Sequence, residues 1–190
     1  MLAADKETQD YLWTIILTLG RINEINRLTW DDVNLEERYV ILYTRKKSGG
    51  HLTLRKVKMS EKLYGMFSKR YLERDKKVPW IFWHRYWIRT KNDWEAGPYK
   101  DRKRIMKILC KKTEIKYFRL HALRHFAATI LDQSNIPIGT IQRILGHESR
   151  TTTEIYLHNL GDADSNAVDV LESQIFPQSH ANSHADKKST

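Results

Sequence analysis

Residues 120–158 read LHALRHFAATILDQSNIPIGTIQRILGHESRTTTEIYLH, and this stretch decides the fold class. Apolar residues recur at helical spacing from about Leu120 to Leu131, which predicts a helix there. A shorter helix is expected from Pro137 to Leu145, because proline is tolerated in a first turn and Gly146 suits the position just past a helix end. Ser149 to His158 reads as a further helical turn or two. Within this frame His121 and Arg124 stand three residues apart, on one face of a helix where both can meet one phosphate. His121 and His125, four apart, also spell the His-x-x-x-His of a zinc helix, but the following glutamate that a zinc hydrolase needs is Ala122, and no cysteine or convincing third ligand is near. His125 is therefore read as a core or supporting residue, and no metal is expected.

Working outward, Tyr11, Leu12, Ile15, Ile16 and Leu19 predict an amphipathic helix that stops near Gly20, with Arg21 directly behind it. Ile22, Ile25 and Leu28 suggest a second short helix closed by the turn around Asp31 and Asp32. The period then changes: Tyr39 to Thr44 and His51 to Met59 are β-rich runs flanking Lys47-Ser48-Gly49-Gly50, an antiparallel hairpin or meander. Helical pattern returns from Ser60, with Leu63, Met66 and Phe67 on one face, and again around Ile105, Met106, Ile108 and Leu109. The segment from Trp80 to Pro98 fits neither period. The expected fold is α+β, mainly α-helical with a small antiparallel sheet. Residues 1–161 are expected to form one domain, 162–176 a tail element with Val168, Leu171 and Phe176 that docks in cis or in trans, and 177–190 a disordered polar tail.

Transfer of a phosphodiester requires groups that clamp the non-bridging oxygens, a nucleophile, and an acid for the leaving oxygen. In chain order the sequence offers Arg21 in TLGRINEI, Lys47 in KKSGG, His121 and Arg124 in LHALRHFAAT, then His147 in ILGHES and Tyr156 nine residues later. Each alone has an ordinary explanation: Arg21 can simply pair with Glu24 one helical turn on, and Lys47 sits in a basic run. The whole set in this order, over residues 8–158, resembles the active site of tyrosine recombinases of the phage integrase type. One departure is local: Gly20 stands immediately before Arg21, where the family has an aliphatic residue between the two.

The resemblance implies a catalytic-domain fold and a site-specific recombinase acting in DNA integration and recombination. It implies that Tyr156 is the nucleophile, that Arg21 and Arg124 grip the phosphate, and that Glu24 orients Arg21. His121 would accept the tyrosine proton, His147 would donate to the phosphate, and Lys47 would protonate the departing 5′ oxygen. No cofactor is implied. A type IB topoisomerase and an inactive DNA-binding relative remain alternatives, the first disfavoured by Leu-Gly-His and the nine-residue spacing. Because family members carry an amino-terminal DNA-binding domain, the chain is expected to be a fragment or a shortened form, and a homo-oligomer, a tetramer on paired sites, is expected when that domain is present.

Composition agrees in sign: 33 Lys and Arg against 23 Asp and Glu leave a formal charge of +10, which favours a nucleic-acid partner. Double-stranded DNA is the expected partner, with Arg45, Lys46, Arg55, Lys56 and Lys58 on its backbone. Trp83, Trp87 and Trp94 stand among basic residues, with buried core the expectation for most of them. The single cysteine, Cys110, fits a reducing compartment, and no apolar run approaches the roughly 20 residues of a membrane span, so a cytoplasmic protein without membrane attachment is expected.

Overall fold

The computed structural model describes residues 3–45, 52–102, 104–147 and 153. The chain divides into two units, Met1–Leu157 and His158–Thr190. The expected tail element 162–176 and polar tail 177–190 lie outside the described residues, as does the expected helical turn over 149–158 apart from Thr153.

Helix α1 (Lys6–Thr18) begins where the Asp5 carboxylate accepts the Thr8 N–H at 2.7 Å, and it buries Tyr11, Leu12 and Ile15. It ends at Leu19, whose φ of 49° places a buried leucine in the left-handed region. A Cβ on Gly20 would lie 2.5 Å from Ile25 Cδ1 and 2.8 Å from Thr18 Oγ1, so a larger residue there would force these side chains to shift as the chain turns into α2 (Ile22–Asn26). A 3-10 turn at Trp30–Asp32 leads into β1 (Val33–Asn34), β2 (Tyr39–Arg45) and β3 (Leu52–Lys58), an antiparallel sheet in the order β1-β2-β3. The β2–β3 register pairs Val40 with Val57 and Leu42 with Arg55, and all four are buried on one face.

Helix α3 (Glu61–Leu72), capped by Ser60, packs Leu63 and Phe67 inward. The segment whose period was ambiguous is a second hairpin, β4 (Trp83–Ile88) paired with β5 (Asp93–Pro98). Among the described residues this two-stranded hairpin has no sheet partner, and its tryptophans are not core as the sequence suggests: Trp83 is half-buried, while Trp87 and Trp94 are exposed and meet edge to face at 5.6 Å. Helices α4 (Arg104–Lys112), α5 (His121–Gln133) and α6 (Ile138–Leu145) complete the described unit, with Pro137 at the head of α6 and Gly146 ending it at φ 63°.

Two apolar cores result. The larger joins α1, α2, the three-stranded sheet and α3 to Ile81, Phe82, Met106, Cys110 and Leu120; the smaller gathers Leu19, Ala127, Ala128, Ile141 and Leu145, where α5 and α6 meet the end of α1. Phe82 is fully buried and stands edge-on to Tyr11 at 5.3 Å between centroids. Truncating such a ring removes its transfer free energy and leaves a void. Phe82→Ala is expected to cost about 3–5 kcal/mol in urea-induced unfolding. A loss below about 1 kcal/mol would show that this ring is not a keystone of the larger core.

Candidate active site

Helix α5 turns Arg124 toward the smaller core, where its side chain is 1% exposed. A buried guanidinium requires acceptors, and Arg124 finds two at helix ends. It donates through Nη1 to the carbonyl of Leu19 and through Nη2 to that of Leu145 at 2.6 Å. The C-terminal carbonyls of a helix lack intrahelical partners and carry the negative end of its dipole, which makes them good acceptors for a cation.

Arg21 follows the first of these ends and caps α2. Its backbone N–H donates to Glu24 Oε2 at 2.7 Å. Its Nη1 donates to Glu24 Oε1 at 3.0 Å and Thr44 Oγ1 at 2.9 Å, and its Nη2 to the carbonyl of Gly146 at 3.3 Å. The two arginines thus rest on consecutive carbonyls, 145 and 146, and the next residue is His147. The Nε2 of His147 lies 3.2 Å from Arg124 Nη2 and its Nδ1 lies 3.1 Å from Thr153 Oγ1. An arginine only donates, so Nε2 accepts and the ring proton sits on Nδ1, facing Thr153.

Glu24 is the buried anion of this cluster. Arg55 forks onto it, Nη1 to Oε1 at 2.9 Å and Nη2 to Oε2 at 2.6 Å, and the Thr44 hydroxyl donates to Oε1 at 2.5 Å. Burial alone would raise the Glu24 pKa, but the Arg55 fork, Thr44 and the Arg21 N–H outweigh it and bring the carboxyl down to about 2. Burial, reinforced by Arg124, Arg21, Arg55 and His121, pushes the His147 imidazole down to about 4. The His121 imidazole, at the exposed start of α5, is lowered by burial and then by Arg124 and Arg21. His125 meets His121 edge to face at 4.7 Å and is lowered by burial and by His121 and Arg124. Among the described residues, no group of three His, Cys, Asp or Glu is placed to hold a metal ion.

The structure therefore brings together Arg21, Glu24, Arg124 and His147, with His121 inside the same field of charge. Lys46, Lys47 and Tyr156 lie outside the described residues, and Arg45 ends β2. Lys56 and Lys58 are exposed, Lys56 with its Nζ 3.5 Å from the Tyr39 ring centroid. Arg55 differs from its expected place on the DNA face: only 9% exposed, it is turned inward onto Glu24. The signal lay in the alternation of LRKVK, where Arg55 shares a face with Val57 and the lysines take the other. Thr44 is the residue of the site that reading for charge alone passes over, and Arg55 the one it assigns to the opposite face.

The sequence model of the Phage integrase family matches residues 3–162. The chain belongs to the phage integrase family. Among this family's proteins the chain is similar to the tyrosine recombinase XerA of Pyrococcus furiosus, 32% identical over 136 residues that cover 72% of this chain and 44% of that protein. It is also similar to the ICEBs1 integrase of Bacillus subtilis, 26% identical, covering 84% of this chain and 47% of that one. The chain thus spans about half the length of these relatives. The phage integrase fold is evident in solved structures as well. The Tn1549 transposon integrase in complex with transposon right end DNA matches with a TM-score of 0.67 at 20% identity, over 90% of this chain and 60% of that one. The XerA recombinase matches with a TM-score of 0.58 at 25% identity, over 92% and 65%.

The depressed His147 has a measurable consequence. Its folded-state value of about 4 lies below the ordinary 6.5, so its contribution to stability is complete above pH 6.5 and is lost as the pH falls through about 4. Glu24, held at about 2 against an ordinary 4.5, contributes fully above 4.5 and loses that contribution as the pH falls toward 2. Urea unfolding across pH is expected to show a shallower loss between pH 6.5 and 4 for His147→Asn than for the wild type. Identical slopes would contradict a neutral His147 in the folded chain.

Proposed function

We propose that this chain is the catalytic domain of a site-specific DNA recombinase or integrase that cuts and rejoins strands through a 3′-phosphotyrosine on Tyr156. The observation that carries the reading is the fixing of Arg21, Arg124 and His147 on the consecutive residues 145–147, where Glu24 is the buried carboxylate among three guanidiniums. Among the described residues such a cluster gathers more guanidiniums than carboxylates, an arrangement suited to a phosphate. Relatives of the same fold have been seen with DNA, among them the XerH site-specific recombinase bound to its difH substrate, which supports double-stranded DNA as the partner.

In this reading Arg21 and Arg124 take the non-bridging oxygens and stabilise the charge that builds in the transition state. Tyrosine is a weak nucleophile at neutral pH, with a pKa of about 10, and needs a base. His121, whose pKa is lowered by burial and by two guanidiniums, is suited to take that proton. The Tyr156 Oη–P bond forms as the P–O5′ bond breaks, and Lys47 supplies the proton that leaves with the 5′ oxygen. Attack by another 5′ hydroxyl reverses the step, so the bond energy stays in the covalent link. His147 accepts from Arg124 in the free chain, so to donate to a phosphate through Nε2 its ring must carry a proton there, gained from solvent or shifted from Nδ1 with the Thr153 hydroxyl then donating to Nδ1. Exposed Lys56 and Lys58 hold the DNA backbone, and a tetramer on paired sites requires the amino-terminal domain. No described helix is long and apolar enough to cross a membrane, and an enzyme of this kind works in the compartment that holds the DNA.

A DNA substrate nicked near the cut, so that the short 5′ product diffuses away, traps the adduct. Tyr156→Phe is expected to abolish the covalent product with DNA affinity nearly unchanged, since one hydroxyl is lost and no ring packing. Adduct at wild-type yield from that variant would remove Tyr156 as nucleophile. Arg21→Lys and Arg124→Lys are each expected to slow cleavage by about two orders of magnitude or more, because a point charge does not reproduce the fork.

Duplex affinity is expected to fall steeply with salt, since Lys and Arg contacts displace condensed counterions. Gain of the His147 proton from solvent, as opposed to its shift from Nδ1, is read as a dependence of the binding enthalpy near neutral pH on the ionisation enthalpy of the buffer. That dependence should disappear in His147→Asn.

A further inference from the structure

We propose that Thr44 and Arg55 are positioning residues that hold the Arg21 guanidinium in its phosphate-gripping orientation; the inference rests on the reading of Arg21 as part of the phosphate clamp. Arg21 is a long side chain, 33% exposed, with several rotatable bonds to restrain. Its orienting partner, Glu24, is itself held from three sides. Oε1 receives Arg21 Nη1 at 3.0 Å, Arg55 Nη1 at 2.9 Å and the Thr44 hydroxyl at 2.5 Å, while Oε2 receives the Arg21 N–H at 2.7 Å and Arg55 Nη2 at 2.6 Å. Without Arg55 and Thr44, the carboxylate would be held only by the chain it is meant to orient.

The Thr44 hydroxyl is fully used. It donates to Glu24 and accepts from Arg21 Nη1 at 2.9 Å and from Arg55 Nη1 at 3.3 Å, which exhausts its one proton and two lone pairs. A buried Glu24–Arg55 fork is complete without this hydroxyl touching Arg21, so the Thr44–Arg21 contact answers a need other than burial. Arg55 also packs on the turn that supplies the Arg21 guanidinium with its third acceptor, the Gly146 carbonyl. A Cβ at Gly146 would stand 3.0 Å from both Arg55 Cδ and Nη1, and the φ of 63° there independently favours glycine. Strands β2 and β3 thereby lock the Arg21 fork from one side while the Gly146 carbonyl receives it on the other.

The test uses Thr44→Val, which keeps the shape and removes the hydroxyl, with Thr44→Ser as the conservative rescue. Single-turnover cleavage of the nicked substrate at saturating DNA is expected to fall about tenfold in Thr44→Val and to return within about twofold of wild type in Thr44→Ser. In an Arg21→Lys background Thr44→Val should cause no further loss, because the contact it removes is already gone. Nitrogen-15 NMR of the free chain, with Arg21 assigned by its absence in Arg21→Lys, gives a readout independent of cleavage. Slow rotation of the Arg21 guanidinium is expected in wild type and Thr44→Ser, and measurably faster rotation in Thr44→Val, where the Glu24 and Gly146 contacts remain. Unchanged Arg21 rotation in Thr44→Val, or additive losses in the double variant, would overturn the proposal. Failure of the wild type itself to form an adduct would instead count against phosphotyrosyl transfer, and the Arg21 resonances would then decide the positioning role by themselves.

Discussion

The buried guanidinium of Arg124 ties together two helix ends that are far apart in sequence, the carbonyl of Leu19 closing α1 and that of Leu145 closing α6. Placing an arginine in a core costs several kcal/mol unless its donors are met, and here carbonyls at helix C-termini, with their partial negative charge, meet them. Both helices end in a left-handed residue, Leu19 and Gly146. The spacing of the two ends is thereby set by the reach of one side chain. Arg21 and His147 stand just beyond those ends, so their separation is inherited from the same interaction. Ala127 and Ala128 contribute by being small where α5 lies against the end of α1 and against α6.

Around this tie the charges are unbalanced in one direction. Arg21 and Arg55 converge on Glu24, which receives Arg55 as a fork, while Arg124 meets His147 across the same cluster. The imidazoles register the surplus. Once burial has acted on them, the guanidiniums push His147 and His121 further below their ordinary range. Among the described residues the site thus places imidazoles of lowered pKa beside guanidiniums that cannot lose their protons.

The β-sheet has a second role beyond supporting a loop. Its inner face carries Val40, Leu42 and Val57 into the larger core, and the same alternation delivers Arg55 and Thr44 to Glu24. One register therefore serves packing and site geometry together. A slip of one residue would turn Lys56 inward and Arg55 out to solvent, removing the carboxylate's fork and exposing apolar side chains at once.

What the sequence by itself determined were features whose causes are local. The helices around Tyr11, Leu63 and Ile141 follow from apolar spacing, and the ends of α6 follow from Pro137 and Gly146, because capping and periodicity act within a few residues. The order of Arg21, Lys47, His121, Arg124, His147 and Tyr156 was likewise legible, since it depends on residue type and separation alone. Only the tertiary structure decided that residues 83–98 form a hairpin with exposed Trp87 and Trp94, because aromatic residues in a strand are buried or not according to what packs on them. It also decided that Arg55 faces Glu24 rather than solvent, and that Arg124 finds its acceptors at Leu19 and Leu145, 105 and 21 residues away. Those contacts bring together groups that no local pattern relates, and the low-dielectric interior that makes them strong exists only once the chain has folded.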